Sequence, residues 1–198
     1  MLGLAVTVKE ESQRQSDFFD TCSECKTAYS CCNDTTPPIT SRRRKIIEAY
    51  LKEVNIVLAE PFAKTEYTFP RLKANMYCVF HDQKTRRCMV HPVKPETCVA
   101  GPITFDINIT TGRIEWYVKM DKICQLAGIV CADKKLLEKH LKSARMEILR
   151  LVRELDSGDL RAILKKSEPE TFMIAEEDID RSILGKLTGE KLAFAAQR

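Results

Sequence analysis

Glycine and tryptophan are scarce in this sequence, with 7 and 1 among 198 residues, and no long apolar run is present. So little glycine, with only 8 prolines, excludes collagen-like and low-complexity architectures, and an apolar content of 44% excludes a wholly disordered chain. The apolar stretches are broken by Lys, Arg or Glu well before the ~18 residues that a membrane span needs. Residues 1–8 are apolar only until Lys9, Glu10 and Glu11, so no secretory leader is expected and the chain is expected to be soluble and cytoplasmic. An excess of one charge is missing too: 32 basic against 28 acidic residues leave +4, too balanced to argue for nucleic acid. Glycine-rich phosphate loops, nucleophile elbows and zinc-protease helices are absent from the sequence, so no catalytic constellation is identifiable and an enzymatic role is disfavoured. What the chain does have is nine cysteines, tightly spaced.

Length and composition suit one ordinary domain with flanking arms. The expected division is an N-terminal arm over 1–20, a cysteine-cluster metal-binding domain over 21–132, a helical scaffold packed on it over 133–166, and a C-terminal arm over 167–198. Residues 1–40 are polar and end in Thr35-Thr36-Pro37-Pro38, a stop for regular structure. From Thr40 or Ser41, either a good N-cap, Ile47, Tyr50, Leu51, Val54 and Leu58 form a helical stripe that Pro61 stops. Residues 102–120 change to strand alternation, with Ile103, Phe105, Ile107 and Ile109, a turn at Gly112, then Ile114, Trp116 and Val118: a β-hairpin.

Beyond Asp133, Leu137, Leu141, Ala144, Ile148, Leu151 and Leu155 recur at spacings of three and four, predicting the strongest helix of the chain. A shorter helix is expected over 159–166, ended by Pro169, and the remainder reads as an extended arm with one late helical stretch. Both arms carry scattered apolar anchors, Phe18, Phe19, Phe172, Ile174, Ile183, Leu184 and Leu187, and are expected to order on a partner rather than alone. The fold class is α+β: a small irregular cysteine-rich metal-binding core with a β-hairpin and two or three amphipathic helices.

The cysteines fall into groups: Cys22-x2-Cys25-x5-Cys31-Cys32, then Cys78, Cys88 and Cys98 at ten-residue intervals, then Cys124 and Cys131 after the hairpin. In a reducing compartment such clustering points to metal or redox chemistry, and an odd count argues against a complete disulfide framework. A Cys-x2-Cys turn brings two thiolates to one metal while backbone N–H groups point at the sulfurs. Neighbours in extended backbone face opposite ways, so Cys31 and Cys32 are not expected to bind one ion together; one of them serves a second site, another iron of a cluster, or packs. The candidate ligands are Cys22, Cys25, Cys31, Cys32, Cys78, Cys88, Cys98 and Cys124, while Cys131, after Gly128-Ile129-Val130, reads as a small buried hydrophobe. His81 and His91 each follow a cysteine by three residues, a spacing that can ligate zinc, yet they are expected to be partly exposed or to satisfy a local hydrogen bond. Arg42-Arg43-Arg44-Lys45 and Lys84, Arg86 and Arg87 are expected to be a solvated helix start and loop rather than a nucleic-acid surface.

Together these motifs resemble the cysteine-cluster proteins named for a CxxCxxCC signature and labelled zinc- or iron-chelating. The resemblance spans roughly residues 20–130 and is carried by Cys22-Ser23-Glu24-Cys25, the Cys31-Cys32 pair, Pro38-Ile39-Thr40, Cys78-Val79-Phe80, Cys88-Met89-Val90-His91 and Pro95-Glu96-Thr97-Cys98. Gly101-Pro102-Ile103-Thr104-Phe105-Asp106 and Cys124-x2-Ala127-Gly128 resemble versions from anaerobic archaea, methanogens among them. The chain departs from that pattern in its five-residue spacer between Cys25 and Cys31 and in Val93 standing where Arg precedes Lys94-Pro95.

Two metal chemistries suit such a cysteine set. Zinc takes closed tetrahedral sites of four thiolates, and eight cysteines suffice for two of them. A [4Fe–4S] cluster places four thiolates on four irons, which tolerates irregular spacing, and the anaerobic members of the family fit an oxygen-labile cofactor. An iron–sulfur cluster is therefore the preferred cofactor, with zinc the alternative. The preferred function is an accessory protein, redox-active or oxygen-responsive, that docks onto a larger anaerobic enzyme complex, with nucleic acid disfavoured as a partner. The alternatives are a zinc-binding structural or nucleic-acid adaptor and a cluster-dependent enzyme, since the resemblance extends to flagellin lysine methylases, which carry a similar cysteine cluster.

Overall fold

The computed structural model describes residues 31–164 and 170–189, and its elements form two apolar cores joined along the chain. The first helix, α1 (Ser41–Glu53), starts where the Thr40 side chain, in extended backbone, accepts the Arg43 N–H at 3.0 Å. It buries Ile46, Ile47 and Leu51 against Ile39, Val79, Phe80, Val90 and Val93. The expected stripe ran on to Leu58, but the helix stops a turn earlier. Asn55 adopts a left-handed φ of 56°, and Val57 beyond it is 94% exposed.

Two small antiparallel ladders follow: β1 (Phe62–Lys64) with β2 (Thr68–Pro70), and β3 (His81–Asp82) with β4 (Arg87–Cys88). A 3-10 turn at His91–Val93 leads into a five-residue helix, α2 (Glu96–Ala100). The expected hairpin is β5 (Ile103–Asn108) and β6 (Arg113–Lys119). Its register pairs Ile103 with Val118, Phe105 with Trp116 and Ile107 with Ile114, so the alternating apolar residues share one face. Gly112 takes φ 68° in the turn, a conformation in which a Cβ would be strained.

Helix α3 (Gln125–Ala132) precedes α4 (Lys134–Glu154), whose N-cap Asp133 accepts the Lys135 and Leu136 N–H groups. Ala144, Ile148, Leu151 and Val152 are buried along α4, whereas Leu137 and Leu141 are only partly covered. Helix α5 (Ser157–Leu164) comes next. Residues 171–188, expected as part of an arm, are built into the second core. Strand β7 (Thr171–Asp178) pairs antiparallel with β6 to complete a sheet of order β5-β6-β7, and α6 (Arg181–Thr188) inserts Ile183 and Leu187. The reason lies in pairing rather than in an apolar stripe. Glu177 accepts the buried Trp116 Nε1–H at 3.0 Å and faces Arg145 Nε at 3.3 Å, and Glu176 meets Arg113 at 2.9 Å. The acidic residues that make β7 look like a solvated arm are thus its anchors. Residues 1–20, 167–169 and 190–198 of the arms lie outside the described residues.

Candidate metal centre

Three chain segments carry the described cysteines of the first core. Cys31 and Cys32 lead into an isolated bridge between Asn33 and Tyr77, and the Cys78 N–H donates to the Cys32 carbonyl at 2.8 Å. The β3–β4 hairpin then pairs His81 with Cys88. Its turn is closed by the Asp82 carboxylate, which accepts the Lys84 N–H at 3.0 Å and the Thr85 hydroxyl at 2.7 Å. At the hairpin base the His81 N–H donates to the Cys78 carbonyl and the Met89 N–H to that of Phe80. The rings of Phe62 and Phe80 meet edge-on beneath it at 5.8 Å. Cys98 lies within α2, after Pro95 has started the helix.

The thiols sense one another. Burial pushes the Cys88 thiol up to about 12, and the negative charges of Cys78 and Cys31 add to it. Burial also raises Cys98, where Cys78, Cys88 and Cys31 oppose ionisation further, and it raises Cys78. The Cys32 thiol is raised first by its hydrogen bond to Cys31, then by burial and by the charges of Cys31, Cys88 and Cys98; the same hydrogen bond lowers Cys31. Lys94 favours the thiolate at Cys31, Cys88 and Cys98. The structure therefore brings Cys31, Cys32, Cys78, Cys88 and Cys98 within electrostatic reach of one another, with Lys94 acting on Cys31, Cys88 and Cys98; the Cys31 thiolate is favoured, whereas burial disfavours the ionised forms of Cys32, Cys78, Cys88 and Cys98 until a cation compensates.

Among the described residues, no group of three or more His, Cys, Asp and Glu side chains is closed into a metal-holding arrangement. Cys22 and Cys25 lie outside the described residues. The donor chemistry fits iron or zinc, both of which accept soft thiolates. Cys124 stands at the N-cap of α3 with its side chain against the second core. Cys131 is exposed, not buried as its apolar context led us to expect, because Leu126, Ala127 and Val130 occupy the inner face of α3 and position 131 points outward.

Neither histidine near the cysteines carries charge near neutrality. Burial, with Lys94 adding, pushes His91 down to about 3, and burial lowers His81. The His81 ring stacks on Tyr77 at 4.7 Å, and its Nδ1 is buried with no hydrogen-bond partner among the described residues.

One residue of the basic run departs from expectation. Arg43 is fully buried: its Nη2 donates to Glu147 Oε2 at 2.6 Å, and its Nε stands 3.8 Å from Glu96 Oε1. The sequence held a signal for this. Arg43 precedes Ile46, Ile47 and Tyr50 by three, four and seven residues, which puts it on the inner face of α1. Arg44, by contrast, is exposed, pairing with Glu48 at 2.8 Å and covering Phe62.

Residues 21–125 match the model of the CxxCxxCC family, described as a putative zinc- or iron-chelating domain. No curated protein and no solved structure matches the chain. No helix among the described residues is long and apolar enough to cross a membrane.

Proposed function

Since this chain belongs to the CxxCxxCC family, we propose that its cysteines hold an iron–sulfur cluster of the [4Fe–4S] type. The observation that supports this reading is the mutual electrostatic influence of Cys31, Cys32, Cys78, Cys88 and Cys98, five thiols delivered by three segments, three of which, Cys31, Cys88 and Cys98, also feel Lys94. A single tetrahedral zinc takes four donors, so five thiols, with Cys22 and Cys25 beside them in the sequence, are too many for one such site. Cys31 and Cys32, expected to face apart, instead share a side-chain hydrogen bond, and a cluster offers four irons in different directions to thiols arriving from separate segments. Lys94 offsets the negative charge that thiolate ligation brings. The ligand set is drawn from Cys22, Cys25, Cys31, Cys32, Cys78, Cys88 and Cys98, with Cys124 in reserve at the edge of the second core.

When bound, such a cluster supplies one-electron chemistry or a response to oxygen. The chain then serves as an accessory module: residues 21–132 carry the cluster, α4 and α5 hold it, and a larger enzyme complex of anaerobic metabolism is the partner. Lys84, Arg86 and Arg87, exposed at the tip of the β3–β4 hairpin, offer that partner a basic contact. Anaerobic purification tests the reading. A brown protein with a broad band near 400 nm, bleached by air and yielding iron and sulfide on acid treatment, supports it; a colourless protein with stoichiometric zinc replaces it with a zinc-stapled adaptor.

A further inference from the structure

Helix α2, which carries Cys98, is too short to stand by itself. A five-residue helix makes one turn's worth of hydrogen bonds, here Val99 N–H to Pro95 and Gly101 N–H to Thr97, and Pro95 offers no side-chain cap. Its position is therefore set from outside, and the structure shows two fastenings. At the first turn, Glu96, 0% exposed, accepts the Thr40 hydroxyl at 2.6 Å and faces Arg43, also 0% exposed, which in turn donates to Glu147 at 2.6 Å. At the last turn, His140 Nε2 lies 3.2 Å from the Ala100 carbonyl and 3.1 Å from that of Gly101. Carbonyls only accept, so that nitrogen carries the proton, and burial keeps the ring neutral by lowering its pKa. Two of the fastening residues, His140 and Glu147, lie seven residues, about two turns, apart on α4, beyond the family-matched segment.

We infer that α4 is the positioning scaffold of the metal centre, and that Arg43, Glu147 and His140 fix the Cys98 thiol in register with Cys78 and Cys88. This rests on the reading of Cys98 as a ligand given above. The chemistry is that of an outer shell: groups that never touch the metal set the orientation of a ligand that does, and their loss typically weakens retention by about 10- to 100-fold. An Arg between two buried carboxylates gives a rigid, forked fastening that a lysine cannot reproduce.

The test uses the full chain, purified anaerobically with the metal it carries, and follows release of that metal to a chromogenic chelator alongside the apo-protein's thermal midpoint. His140→Leu and Arg43→Met are expected to speed release about 10- to 100-fold. His140→Gln, whose amide N–H reaches the same carbonyls, is expected to restore most of the wild-type rate, and Arg43→Lys only part. Leu160→Ala, in the second core, is the control: it lowers the midpoint without speeding release. Should Arg43→Met not fold because it strands two buried carboxylates, the His140 pair carries the test. Wild-type release from His140→Leu, or equally fast release from Leu160→Ala, overturns the inference. Cys98→Ser separates the premise from the inference: unchanged metal content in that variant removes Cys98 as a ligand, whereas lost metal beside a wild-type His140→Leu removes the scaffold role alone.

Discussion

The two cores of this protein are held by different means. Among the described residues, the second contains strands of six, seven and eight residues and a 21-residue helix, with sixteen buried apolar side chains in one cluster. Among the same residues, the first has eight such side chains, one sizeable helix, and strands of two or three residues. At roughly 25 cal/mol per Å² of apolar surface removed from water, the second core has ample means to fold by burial. The cysteine-bearing half has less, and its short ladders of two or three residue pairs are marginal by themselves. On the proposed function, ligation of a metal supplies what burial does not, as in other small metal-held folds.

Stripping the metal should expose this contrast most strongly. A strong chelator is expected to remove on the order of 10 kcal/mol of apparent stability from the first half. Amide protection should then fall over residues 31–100 while α4 and the β5-β6-β7 sheet keep theirs; uniform loss, or none, would dissolve the distinction between the halves. Ser substitution of Cys22, Cys25, Cys78 or Cys88 should lower bound metal sharply, and metal content unchanged in all four would remove the central claim.

Next in size is Leu151→Ala. The side chain is fully buried on α4, so lost transfer energy plus the cavity should cost about 2–5 kcal/mol in chemical denaturation, with the metal retained. Leu141→Ala, at a partly covered position of the same helix, should cost less.

Acid should act more mildly, mainly through the first half. His81, His91 and His140 all have native pKa values below the ordinary 6.5, His91 down to about 3. The unfolded chain therefore binds protons that the native chain does not, and stability present above pH 6.5 is lost as pH falls toward 3. Glu96 opposes this, because burial raises its pKa and the native state takes up a proton before the unfolded state does. A net loss on the order of 2 kcal/mol is expected for the apo-protein between pH 6.5 and 4.5, read from denaturant midpoints; stability that rises on acidification would contradict it. The smallest effect belongs to Cys131→Ser, at an exposed site, which should leave metal content unchanged and stability within about 0.5 kcal/mol.

What could be read from the sequence follows from how far each signal reaches. The Thr40 cap, the alternation through Ile103–Asn108 and Arg113–Lys119, and the stripe of α4 are local periodicities, and the structure contains each of them. The burial of Arg43 depends on partners 53 and 104 residues away, Glu96 and Glu147, which no local window contains. Strand β7 was hidden because its partners, Trp116, Arg113 and Arg145, convert an acidic run into a fastened edge. The early end of α1 came from the backbone at Asn55, where turn chemistry overrode an apolar pattern that continued to Leu58. For the candidate site, spacing identified the cysteines as a group. Which of them meet depends on the β3–β4 turn and on the placement of α2, and both are tertiary.

The one tryptophan of the chain is Trp116, fully buried on the middle strand of the sheet, beneath the Arg145 guanidinium and hydrogen-bonded to Glu177. Its fluorescence is consequently a private channel to the second core. Three of the four described tyrosines, Tyr50, Tyr67 and Tyr77, belong to the cysteine-bearing half, and Tyr117 stands beside Trp116 on β6. Excitation at the red edge selects the indole alone, so a titration that empties the metal centre can leave emission blue-shifted while the phenolic signal changes. A single cuvette thereby follows the second core by its indole emission, without any label being introduced.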